Sequence, residues 1–150
     1  MTPARFEHSL RVYWEDTDAG GVVFYANYLK YFERARTEWL RGLGFSQEAM
    51  RLQNGLQNGL QNGLQDGVMF VVSSTSVRYL SPARLDDLLQ ISVEPRELGR
   101  ASMLLFQQAW RGERLLAEGE IRIGCVASGA LADFKPTRTP AALIKAIKPF

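Results

Sequence analysis

At 150 residues, with 46% hydrophobic and 23% charged residues, the chain has the length and balance of one soluble globular domain with a single core. A formal net charge of +2 with interspersed signs argues against a nucleic-acid surface, and no apolar run approaches the ~20 residues of a membrane span. Its one cysteine, Cys125, excludes an internal disulfide and a cysteine-rich metal site; the setting IRIGCVA marks it as a buried core thiol. The N-terminus lacks the pattern of a secretory signal, so the expected location is cytoplasmic.

Phe6 to Trp14 mixes aromatic and β-branched residues with polar ones, the pattern of an opening strand. Asp18, Ala19, Gly20 and Gly21 then supply turn chemistry, and Asn27 is positioned to cap a helix. From Tyr28 the apolar residues Tyr28, Phe32, Ala35 and Trp39 recur at spacings of four, three and four, one face of an α-helix. Gly42 and Gly44 offer its stop. Ser46 is a cap for a second, shorter helix through Leu52.

Residues 52–67 are four tetrapeptides, three of them Leu-Gln-Asn-Gly and the last Leu-Gln-Asp-Gly. Glycine at every fourth position costs a helix about 1 kcal/mol each relative to alanine, and Asn-Gly favours turns. The segment therefore reads as an expanded surface connection, with a lid over a pocket as the functional alternative. Beyond it, Val68–Leu80, Leu88–Glu97, Ala101–Arg111 and Leu115–Ala127 have strand composition. The links between them are too short for helical crossovers, which predicts antiparallel neighbours. Pro140 to Ile147 reads as a last helix, with Pro140 at its first position. The sum is a single α+β domain in which an antiparallel sheet twists around one long amphipathic helix.

Little conventional catalytic machinery is present. The only histidine, His8, has no cysteine or metal-ligand partner at a useful spacing, so it reads as structural or exposed. Phosphate-cradling loops and the GxSxG nucleophile turn are absent, and no cofactor is implied. What remains is a carboxylate beside a helix N-terminus, where unpaired backbone N–H groups and the macrodipole stabilise a developing oxyanion. Asp18, seven residues before Tyr25, is the candidate carboxylate. From spacing alone Asp16 and Asp18 read as turn formers or caps ahead of catalytic groups, with Glu15 a solvated loop charge.

The segment E-D-T-D-A-G-G-V-V-F-Y-A-N-Y-L-K-Y-F-E-R-A-R-T-E closely resembles the signature of hotdog-fold acyl-CoA thioesterases of the 4-hydroxybenzoyl-CoA thioesterase superfamily. Its nearest likeness is to the YbgC-type members associated with the Tol-Pal envelope system, and the likeness extends through Val77–Asp87 and Ala117–Val126. The resemblance implies the hotdog fold, an acyl-CoA substrate, a homodimer or homotetramer with sites at subunit interfaces, and an acyl carrier protein or envelope complex as an alternative partner. It assigns the catalytic carboxylate to Asp18 and the carbonyl-facing backbone N–H to Tyr25. YbgC-type sequences often carry histidine where this chain has Tyr25, so only a main-chain donor is retained there. Arg100 is the candidate ligand for the phosphates of CoA, weighed against solvated surface charge. A dehydratase of the same fold would need a histidine in the site, and His8 is poorly placed for it.

Overall fold

The computed structural model describes residues 5–52, 67–128 and 133–148. Within them lie five strands and three helices: β1 (Phe6–Arg11), α1 (Asn27–Gly42), α2 (Gln47–Leu52), β2 (Val68–Tyr79), β3 (Leu88–Leu98), β4 (Ser102–Arg111), β5 (Arg114–Ala127) and α3 (Ala141–Ile147). The strands form one antiparallel sheet in the order β1-β3-β4-β5-β2, with α1 packed across it. This is the hotdog arrangement of a sheet wrapped around a central helix. The repeat from Gln53 to Asp66 lies outside the described residues.

The apolar stripe of α1 is buried as its spacing predicts: Tyr28, Phe32, Ala35 and Trp39 all face the sheet, joined by Tyr31 and Leu40. Opposite them, β4 alternates strictly, and Met103, Leu105, Gln107 and Ala109 point to the helix side. Gln107 is the polar exception in this core, and it is fully hydrogen-bonded. Its Nε2 donates to the Phe32 carbonyl (3.0 Å) and the Ser92 carbonyl (3.2 Å), and its Oε1 accepts from Arg36 Nη1 (3.0 Å). A buried amide satisfied on both sides ties the helix backbone to two strands, because any shift would leave polar atoms unpaired.

Three expectations change. The opening strand ends at Arg11, not Trp14: Trp14–Asp16 winds into a single 3₁₀ turn, pinned by the Asp16 carboxylate accepting from the Tyr13 N–H at 2.8 Å. Asn27 is the first residue of α1 and not its cap; its side-chain amide instead donates to the Asp16 carbonyl at 2.8 Å. Pro140 likewise precedes α3. Ser46 does act as a cap, its Oγ accepting from the Ala49 N–H at 3.3 Å, and Gly44 adopts φ +95° just past the end of α1.

The largest departure is topological. The link after β2 does not join neighbours, because β2 pairs with β5 and β3 pairs with β1 and β4. The chain from Leu80 to Asp87 crosses one end of the sheet instead. Leu80 and Ser81 hydrogen-bond the Leu116 carbonyl, Ala83 and Val23 share a backbone bond of 2.8 Å, and Val12 bonds the Asp87 carbonyl at 2.9 Å. Ala83 is completely buried in this crossing. Closing the sheet on β5 becomes possible because Gly119 lets β2 approach: a Cβ there would lie 2.5 Å from the Ser76 carbonyl oxygen.

Phe32 is completely buried at the centre of the helix–sheet contact. Phe32→Ala is expected to lower unfolding free energy by about 3–5 kcal/mol, measured by urea denaturation.

Candidate active site

The junction between β1 and α1 is assembled from backbone bonds that face inward and side chains that face out. The two aspartates of the Glu-Asp-Thr-Asp run separate sharply. Asp16 is buried, with one carboxylate oxygen on the Tyr13 N–H, while its carbonyl accepts both the Phe24 N–H (3.0 Å) and the Asn27 side-chain amide. It is a clamp that fixes where α1 begins. Asp18 is exposed, and its Oδ1 accepts from the Gly20 N–H at 2.8 Å and the Val22 N–H at 3.4 Å. Its second oxygen takes no hydrogen bond among the described residues.

A tight reversal orients Asp18. Its N–H donates to the Val22 carbonyl (2.9 Å), its carbonyl accepts from Gly21 (3.0 Å), and Thr17 and Val23 pair across the turn. Gly21 takes φ +81°, which favours glycine. The turn-former reading of Asp18 is therefore present in the geometry, and it leaves one carboxylate oxygen open to solvent.

Tyr25 lies two residues before α1, and no hydrogen bond among the described residues engages its N–H or that of Ala26. Its ring is exposed and rests edge-on against Tyr79 at 6.0 Å between centroids and against Phe24 at 4.9 Å. Tyr28 contacts Tyr79 from the other side (5.5 Å) and accepts a hydrogen bond from the Ala83 N–H at 3.3 Å through its hydroxyl. Between these rings and the crossing segment lies a hollow of about 270 Å³, lined by Val23, Tyr25, Tyr28, Tyr79, Leu80 and Pro82 among others. Tyr79 and the crossing segment were not singled out in the sequence as parts of the site. An aromatic at a strand end is common, and only the sheet order carries Tyr79 to the start of α1.

The remaining candidates fall elsewhere. Arg100 sits in the β3–β4 turn, at the end of the sheet away from the Asp18 turn; β3 spans the two ends, roughly 33 Å at strand rise. His8 lies on β1 beside Glu33, Arg34 and Arg41 of α1. Cys125 is buried and free, and burial raises its thiol pKa. Among the described residues no cluster of histidine, cysteine or carboxylates could hold a metal, and no helix is long and apolar enough to cross a membrane.

A family model described as the thioesterase superfamily matches residues 20–118. The chain belongs to the thioesterase superfamily. The matched span begins two residues after Asp18 and includes Tyr25, Tyr79 and Arg100. Relatives in this superfamily include the acyl-CoA thioesterase YbgC of Haemophilus influenzae, 38% identical over 135 residues, covering 90% of this chain and 88% of the relative. The acyl-CoA thioester hydrolase YbgC of Escherichia coli is 38% identical over 149 residues, 99% of each chain. Among solved structures, a "Probable Thioesterase" from Bartonella henselae superposes with a TM-score of 0.77 at 31% identity, over 91% of this chain and 100% of that one.

Behind the junction, the Tyr31 hydroxyl is buried without a well-aligned hydrogen-bond partner among the described residues, yet near enough to Asp16 to feel its charge. Burial first, and the Asp16 carboxylate second, hold its pKa above the ordinary 10.0. The folded state therefore keeps a proton that the unfolded chain releases, so this stabilisation is complete below pH 10 and falls as pH rises beyond it. Tyr31→Phe is expected to flatten the alkaline loss of stability, followed by denaturant titration from pH 8 to about 11. Asp16→Ala strands the Tyr13 N–H and should cost about 1–3 kcal/mol, whereas Asp18→Asn should stay within about 0.5 kcal/mol. Thermal unfolding of the two variants side by side reads that contrast.

Proposed function

We propose that the protein hydrolyses acyl-CoA thioesters to a free acid and CoA, with Asp18 and the Tyr25 N–H as its working groups. The observation that carries the reading is an exposed carboxylate and an unengaged main-chain N–H on one loop–helix junction, beside an aromatic hollow. The acyl-CoA thioesterase activity for which the YbgC relatives are named supports the substrate class.

In this reading the thioester carbonyl oxygen accepts a hydrogen bond from Tyr25 N–H, and the charge that develops on it is stabilised by a donor already in position. Two routes then lead to the same products. Asp18 removes a proton from water as the water oxygen attacks the carbonyl carbon; the C–S bond breaks and the CoA sulfur leaves, ending protonated. Alternatively, the Asp18 carboxylate attacks directly, CoA leaves as its thiolate, and water hydrolyses the acyl–aspartyl anhydride. The hydrogen bonds from Gly20 and Val22 hold Oδ1 in place and leave the other oxygen available for either task.

The working form in this proposal is a homodimer or homotetramer. β2 is an edge strand of the sheet, and exposed Tyr13, Trp14, Phe24 and Tyr25 surround the Asp18 turn, a surface suited to a second copy. An acyl carrier protein offers the same thioester and belongs in the same substrate panel. A link to the Tol-Pal system belongs to this proposal as well, on the resemblance of the motif alone, and so does cytoplasmic action, with which a single cysteine agrees.

Free-thiol release from short, long and aromatic acyl-CoAs, with subunit number read by light scattering, tests the reading. Asp18→Asn is expected to lower kcat by about 10²–10⁴-fold; near-normal turnover removes Asp18 from the chemistry. Tyr25→Phe is expected to retain activity, while Tyr25→Pro, which deletes the N–H, should lose about 10²–10³-fold. Single turnover in ¹⁸O-water tests the routes: an unlabelled first acid together with solvent label in Asp18 requires the anhydride route with water attacking the Asp18 carboxyl carbon, whereas label in the first acid fits general-base hydrolysis or water attack at the acyl carbon.

A further inference from the structure

The sheet is wider than α1 can cover. α1 packs against β3, β1 and β4 while α2 lies on β2, so the inner face between β4 and β2 is left partly bare. A cavity of about 170 Å³ occupies that gap, walled by Trp39 of α1 and by Phe70, Leu105 and Ile123 from three strands. Its rim reaches Val72, which is 48% exposed on the edge strand β2.

The charged and amide groups of the lining fall into two sets. Gln47 Nε2 donates to Thr37 Oγ1 at 2.9 Å, and that hydroxyl donates to Glu33 Oε2 at 2.6 Å, so Gln47 and Glu33 are joined through one relay. Arg36 stands apart. Its single hydrogen bond among the described residues runs from Nη1 to Gln107 Oε1 at 3.0 Å, and it belongs to none of the ion pairs found there. A guanidinium carries five N–H donors, so most of those on Arg36 are unengaged where it lines the cavity. Loss of solvent lowers its pKa and the charge of Glu33 offsets only part of that change, yet a guanidinium keeps its proton in a protein. A charge withdrawn from water in this way calls for an anion in water's place.

We propose that this cavity binds a carboxylate carried on a short apolar body, with the carboxylate on Arg36 and the body against Trp39, Phe70, Leu105 and Ile123. The planar arginine fork matches the two oxygens of a carboxylate, and the apolar wall receives an alkyl chain or an aromatic ring. Glu33 does not fill this place, since its carboxylate is bonded to Thr37 and forms no ion pair with Arg36. An apolar cavity of roughly 150 Å³ accepts benzene, so the body is of about that size. Two sources present this chemistry. One is a free acid; the other is the far carboxylate of a thioester whose acyl chain is a dicarboxylic acid, which rests on the acyl-CoA reading above.

Calorimetric titration of the full chain with hexanoate, phenylacetate and the uncharged counterpart hexanol tests the site directly. Both carboxylates are expected to bind at millimolar concentration, and hexanol roughly tenfold more weakly. Arg36→Gln, which keeps a donor and removes the charge, should bring the carboxylates down to the level of hexanol. Val72→Trp, which fills the rim from the exposed edge, should abolish binding of all three at unchanged thermal stability, and it reads the same site if Arg36→Gln does not fold. No heat from either carboxylate, equal affinity for hexanoate and hexanol, or full hexanoate affinity in the folded variants overturns the proposal. Hydrolysis then assigns the source. A KM raised by Arg36→Gln for adipyl-CoA but not for hexanoyl-CoA places a dicarboxylic acyl chain in the cavity, whereas hexanoate binding that leaves both KM values untouched makes it a site for free acid. Hexanoate binding by a chain with no thioesterase activity upholds this site while defeating the catalytic reading.

Discussion

Burial of the α1 stripe in the curve of the sheet is the interaction on which the rest of the structure depends. Tyr31, Phe32 and Ala35 are completely enclosed where α1 packs against β3, β1 and β4. Apolar burial alone would allow the helix to slide or rotate, since it has no direction. Gln107 removes that freedom by bonding the Phe32 carbonyl, the Ser92 carbonyl and Arg36 at once. Arg36 is half-buried as a result, and loss of solvent lowers its pKa from the ordinary guanidinium range.

Fixing the helix fixes the junction before it. The start of α1 is held from below by Asp16 and Asn27 and from the side by Ala83, which bonds Val23 through its carbonyl and Tyr28 through its N–H. With Asp16, Asn27 and Ala83 engaged, two groups at the surface of the junction stay open: one oxygen of Asp18 and the Tyr25 N–H. An unengaged donor is tolerable there because the junction is exposed, whereas the same group in the core would carry the full penalty of desolvation. The proposed chemistry therefore sits where the fold leaves polar groups unspent, at the rim of a tightly bonded loop.

Much of this was legible in the sequence. The period of Tyr28, Phe32, Ala35 and Trp39 located α1 and its buried face, because that pattern is set by local geometry, and strand composition located β4, whose alternation the structure then shows. The Ser46 cap and the Gly44 stop were legible for the same reason. Asp18 stood out through the turn residues after it and through the resemblance of its motif. The shortness of the opening strand and the position of Asn27 were not legible, because both follow from a long-range claim on Asp16 and its neighbours that outweighs local propensity.

The sequence by itself determined which segments are helix or strand, which face of α1 is apolar, and that acidic and turn-forming residues precede that helix. Only the tertiary structure decided that β2 closes on β5, since the link of Leu80 to Asp87 is equally able to turn back or to cross, and pairing with Gly119 and Leu116 selects the crossing. It also decided the unlike fates of Asp16 and Asp18, one beneath the Tyr13 amide and the other in solvent. Two aspartates two residues apart carry the same local signal; what distinguishes them is which one the packed junction encloses.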